Sequence, residues 1–232
     1  MRKALLFVAI LAFTGNCLAQ SQANPTAFGP GNAWQAPASL ASGAKACGNP
    51  SDGRKYADCF MAQMTKAGAS PAAVNFTREF YKDNHEIGIM TCFTHFQTVG
   101  IAWVVYPLHQ PSNYGLFLIN GDPRFVNAED LSKLDQKGME QSFQFRDLKS
   151  LFPKVAIYPG NRDGRTWPDV QYGSDGSLQF IVGYPLRNGC PTCSNAGRAI
   201  FTWNFTHDGK FTGTSFMGMT PAPLSSPVSS PQ

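Results

Sequence analysis

Cys190-Pro191-Thr192-Cys193 is the sharpest local feature of the chain that could do chemistry. Two thiols at this spacing can cycle between dithiol and disulfide, and the first becomes a nucleophile when a helix N-terminus or a cation lowers its pKa. The flanks argue against that use. Ile181–Leu186 and Arg198–Phe205 are strand-like, while Asn188-Gly189 and Ser194-Asn195-Ala196-Gly197 are turn residues. The pair is therefore expected at a hairpin, as a local structural disulfide. A thiol–disulfide oxidoreductase using Cys190 and Cys193 is the alternative. Half of a metal site is a third use, but no second ligand pair stands at a familiar spacing.

The remaining cysteines and the histidines offer less. Cys47 and Cys59 are near neighbours in sequence, and a bridge between them would fasten the N-terminal segment to the domain. Cys92 lies among Met90, Phe93 and Phe96 and reads as a buried thiol. His95 follows Cys92 by three positions, an offset that points the two to opposite faces of a strand, so a Cys–His dyad is not expected. His85, His95, His109 and His207 show no HxH, HExxH or HxxxH spacing, and no metal or other cofactor is expected. Asp83, His85 and Glu86 cluster where a helix should give way to a strand, as a solvated corner does. There is no GxSxG elbow and no phosphate-binding P-loop. The sequons Asn75-Phe76-Thr77 and Asn204-Phe205-Thr206 fall in predicted regular elements.

One loop has the composition of a recognition surface. The run from Gly160 to Asp169 gathers Arg162, Arg165 and Trp167 beside Asp163 and Asp169. Exposed Trp and Arg are frequent binding anchors, so Arg162, Arg165 and Trp167 are the candidate ligand or partner surface. The competing reading folds Trp167 back on the core.

The elements that must position these residues can be read from periodicity. Tyr56, Phe60 and Met64 recur every four residues, which predicts a helix over Arg54–Ala67 ended by Gly68. Ser70-Pro71 then reads as an N-cap followed by proline at the first helical position, with Ala73, Phe76 and Phe80 on the apolar face. Six strand-like runs follow: Ile87–Phe96, Val99–Tyr106, Gly115–Asn120, Lys154–Tyr158, Leu178–Tyr184 and Arg198–Phe205. The last continues through Asp208-Gly209, a hairpin signal, into Phe211–Met217. A helix is expected within Ala128–Gly138 and a short turn within Gln144–Leu151. With no repeated βαβ unit, the expected fold is a single α+β domain, two N-terminal helices packed on a mostly antiparallel β-sheet.

Met1-Arg2-Lys3, an apolar run from Ala4 to Phe13, and small residues ending at Ala19 have the order of a secretory signal peptide over residues 1–19. The apolar run is too short to span a bilayer, and the residues before Cys17 lack a lipoprotein pattern. Residues 20–46 read as a flexible leader on which Phe28 and Trp34 can still dock. Residues 47–220 form the expected globular domain, and 221–232 a disordered Pro/Ser tail. Periplasmic or secreted localisation follows, a setting in which cysteines pair. An aromatic load of 18 Phe, 7 Tyr and 4 Trp suffices for a sizeable core. The net charge of +4 is small and dispersed, and falls to +2 without Arg2 and Lys3, so nucleic acid is not an expected partner.

The stretch Gly183-Tyr184-Pro185-Leu186-Arg187-Asn188-Gly189-Cys190-Pro191-Thr192-Cys193, with Ala199–Phe205 and Asp208-Gly209-Lys210-Phe211 after it, resembles a segment of uncharacterised exported bacterial proteins. These carry a (D/N)GCxxC hairpin ahead of a strand ending in an FxxxGxF turn. The resemblance implies a bacterial envelope protein and brings across no catalytic residue. The sequence as a whole points to an exported non-enzymatic domain that binds an envelope protein or small ligand, or assists assembly. Besides the redox alternative, a small-ligand carrier with an aromatic pocket between helices and sheet is the other class.

Overall fold

The computed structural model describes residues 27–109, 114–160 and 167–222. The proposed signal peptide, Cys17, Arg162, Arg165 and all but the first two residues of the tail lie outside them. Helix α1 (Ala38–Ala41) precedes α2 (Arg54–Lys66) and α3 (Pro71–Asn84). The caps are those the residue types require: Ser70 Oγ accepts from Ala73 N at 3.1 Å, and His85 closes α3 in a left-handed conformation at φ 57°.

The chain then builds two sheets, one after the other. Strands β1 (Ile89–Phe96), β2 (Val99–Val105), β3 (Tyr114–Ile119) and β4 (Phe125–Asn127) form a four-stranded antiparallel meander. After it come α4 (Gln136–Gln141) and α5 (Phe143–Leu151), each started by an Asp135 or Ser142 side-chain cap. The second sheet comprises β5 (Val155–Ile157), β6 (Asp169–Tyr172), β7 (Leu178–Asn188), β8 (Asn195–Phe205) and β9 (Phe211–Pro221). Its order is β5-β7-β8-β9, with β6 also paired to β7, all antiparallel.

This corrects the expected architecture of two helices on one sheet. A single sheet covered on one side buries one face, whereas every residue of β2 is buried. Its Val99, Ile101 and Trp103 pack against Phe180, Tyr184, Phe201 and Trp203 of the second sheet. Its Ala102 and Val104 pack against Phe76 and Phe80 of α3. The first sheet is therefore the middle layer, and the unbroken apolar run of β2 is the mark of a strand covered on both faces.

Residues 27–46, expected as a flexible leader, are part of this packing from Phe28 onward. Phe28 is 4% exposed, with its ring centroid 4.9 Å from Phe76 and 5.5 Å from Phe125. Asn120, at φ 71°, returns both hydrogen bonds to the Phe28 backbone at 2.8 Å. Trp34 N donates to Met90 O at 2.8 Å and Gln35 Nε2 to Thr91 O at 3.0 Å, which covers the outer edge of β1. The edge of β9 is treated likewise, with Phe216 N donating to Asp135 Oδ2 at 3.4 Å. Pro221 is still in β9, beyond the boundary drawn from the sequence. Among the described residues no helix is long and apolar enough to cross a membrane.

Candidate functional site

Both expected cysteine pairs are bonded. Cys47–Cys59 joins the leader to α2, with its Cα atoms 5.6 Å apart. Cys190–Cys193 closes the turn between β7 and β8, where Cys193 N donates to Cys190 O at 3.0 Å and Gly189 takes φ 101°. No helix begins at this turn, so no helix N-terminus stands behind either sulfur to stabilise a thiolate. Cys92 carries no disulfide and is half-buried opposite Trp103 in the β1–β2 register. It packs with the core between the sheets, whereas His95 lies beside Phe93, which packs toward the helices. The thiol and the imidazole are not brought together.

The other titratable groups do not converge either. His109 stacks on Tyr106 with ring centroids 5.0 Å apart and comes within 3.8 Å of Glu86. Burial, with the Glu86 and Glu129 charges behind it, pushes the Tyr106 phenol up. Among the described residues no three His, Cys, Asp or Glu side chains are grouped to hold a metal ion. Where an aromatic carrier pocket was expected, between helices and sheet, rings of Phe28, Phe76, Phe80, Phe117 and Phe125 pack one against the next.

The loop singled out in the sequence meets an open cleft at Trp167. Strands β5 and β6 run along the same edge of β7, and their registers do not join. Ile157 faces Leu186 and Asp169 faces Ile181, which leaves Val182 to Pro185 of β7 between the two pairings. The β5 ladder continues as far as Tyr158 N, which donates to Pro185 O at 3.0 Å. Between the two ladders, beside Gly183, opens a cleft of about 180 Å³.

Trp167 forms one wall of this cleft, and Ile181 and Ile200 line it from the outward face of the sheet. Trp167 is 39% exposed and meets the buried Trp103 edge to face at 6.0 Å. It thus rests against the core and faces solvent at once, which combines the two readings of this residue. Asp169, Glu129 and Arg198 supply the charges of the cleft. Arg198 Nη2 donates to Gly183 O at 3.0 Å, a position open only because residue 183 has no side chain: a Cβ there would lie 3.0 Å from Arg198 Nε.

Asp169 belongs to the loop singled out in the sequence. Arg198, Glu129, Gly183 and Ile200 do not, because their place in the cleft depends on strand register. The alternation within Arg198–Phe205, which turns Arg198 and Ile200 away from Ala199 and Phe201, is the only trace of it in the sequence. No protein-family model, no curated protein and no solved structure matches this chain.

Proposed function

We propose that this chain is an exported, disulfide-stapled binding domain of the bacterial envelope whose recognition site is the Trp167 cleft. The observation that carries the reading is the cleft beside β7, where the half-exposed Trp167 indole, the Arg198 guanidinium and the Asp169 and Glu129 carboxylates line one opening. Such a set can grip a ligand by stacking and charge-assisted hydrogen bonds. It lacks the nucleophile–base–orienter geometry that acyl, phosphoryl or proton transfer requires. Export is supported by the two disulfides.

The test sets the cysteines against the tryptophan. The wild type, a Cys190→Ser/Cys193→Ser double variant and Trp167→Ala are compared for reduction of insulin disulfides and for retention on immobilised bacterial envelope fraction. The reading expects no catalysed insulin reduction, retention by the cysteine variant, and loss of retention in Trp167→Ala. Turnover that depends on Cys190, or retention indifferent to Trp167, would overturn it.

A further inference from the structure

The outward face of the second sheet continues from the Trp167 cleft as a ladder of amides and hydroxyls. Gln179 faces Asn204 and Ile181 faces Thr202 across β7 and β8. Thr202, buried among its neighbours at 3% exposure, faces Ser215 across β8 and β9, and Asn204 Nδ2 donates to Ser215 Oγ at 3.1 Å. Ile181 and Ile200, apolar residues of this face, belong to none of the three buried clusters. At the end away from Trp167 lies a polar hollow of about 270 Å³ walled by Asp175, Ser177, Gln179, Asn204 and Thr212. Gln179 in this hollow and Gly183 in the Trp167 cleft are four residues apart on β7, about 13 Å at the rise of a strand.

Two buried side-chain polar atoms among the described residues have no hydrogen-bond partner: Trp103 Nε1 and Asn204 Oδ1. Asn204 walls the polar hollow, whereas Trp103 is buried in the core between the sheets, behind Trp167 and away from this face. An unsatisfied polar atom is uncommon, and the one at Asn204 stands beside the hollow.

The chemistry of the face selects among ligands. Its charges are Arg198 against Asp169, Glu129 and Asp175, a balance that disfavours polyanions such as nucleic acid or anionic lipid. Gln179, Asn204 and Ser215 make the stretch away from Trp167 polar. A neutral polyhydroxylated chain fits: its C–H faces stack on indole, and its hydroxyls both donate and accept, as the amides and carboxylates here require. We infer that this face binds an oligosaccharide laid from Trp167 to the Asn204 hollow; the inference rests on the Trp167 cleft being a binding site.

Cellotetraose, maltotetraose and chitotetraose, with glucose and N-acetylglucosamine beside them, are titrated into the intact protein by calorimetry and tryptophan fluorescence. At least one tetrasaccharide is expected to bind about tenfold more tightly than its monosaccharide, and Trp167→Ala to lose about tenfold. Gln179→Ala/Asn204→Ala is expected to weaken the tetrasaccharide while leaving the monosaccharide unchanged, with thermal unfolding confirming that each variant folds. No binding by any tetrasaccharide, or binding indifferent to Gln179 and Asn204, overturns the inference. If the sugars fail while a peptide pool from bacterial envelopes binds in a Trp167-dependent way, the glycan falls and the cleft stands. If nothing depends on Trp167, both fall.

Discussion

Tyr184 sits in the core between the sheets, donating from its hydroxyl to Ala128 O at 2.6 Å and accepting from Trp203 Nε1 at 2.8 Å. Burial pushes its phenol up, so it stays neutral through the physiological range. Tyr184→Phe would leave a carbonyl and an indole N–H buried without partners, and is expected to cost about 2–4 kcal/mol in urea unfolding. Glu79 gives a pH dependence. Its hydrogen bond to Lys82, with the Lys82 and Arg124 charges, holds its carboxyl below the usual range despite partial burial. A depressed folded pKa contributes stability above the unfolded value, which is lost as pH falls through the folded one. Glu79→Gln should therefore be less stable than wild type at neutral pH, with the gap closing below about pH 4.5; a gap unchanged at pH 3 would contradict this. Trp167 was legible as a loop aromatic, whereas Arg198 was not, because its partner Gly183 is found only once β7 and β8 are in register.

The N-terminal segment is held by three fastenings of different kinds. Phe28 fills a slot between α3 and β4, with Arg124 Cζ 4.0 Å over its ring; Trp34 and Gln35 cover the β1 edge; and Cys47–Cys59 ties its end to α2. Phe28→Ala is expected to cost about 3–5 kcal/mol as a core truncation and to speed amide exchange at Trp34, with the β7–β8 ladder unaffected. Replacing Cys47 and Cys59 by alanine should cost about 2–3 kcal/mol for a loop of this length. Helices α2 and α3 and the long strands could be read from periodicity and caps, whereas the four-residue α1 could not. Nor could the second layer. Which strands pair is decided by contacts far apart in sequence, and a run such as Val99–Val105 is apolar throughout whether one sheet or a helix covers its second face. The packing of the leader was only partly legible: its Ala, Gly and Pro content is that of a linker, and only Phe28 and Trp34 marked where it could dock.

At the scale of the molecule, the outward face of β6–β9 carries Ile181, Ile200 and Asn204 outside the three buried clusters of the described residues. The Trp167 cleft opens at its margin. The Cys190–Cys193 turn lies at the end of the same β7–β8 hairpin, where the bond staples strands that carry the site. The central claim is that the cleft recognises and the thiols only brace. It is tested most directly by fluorine NMR of protein carrying 5-fluorotryptophan at its four tryptophans, Trp34, Trp103, Trp167 and Trp203. Separated glycan, peptide and protein pools from bacterial envelopes are titrated in. The expected result is a saturable shift of the Trp167 and Trp103 resonances with Trp34 and Trp203 still, and the same response in Cys190→Ser/Cys193→Ser. A Trp167 resonance that no pool moves, or a response that vanishes with the two cysteines, would contradict the account.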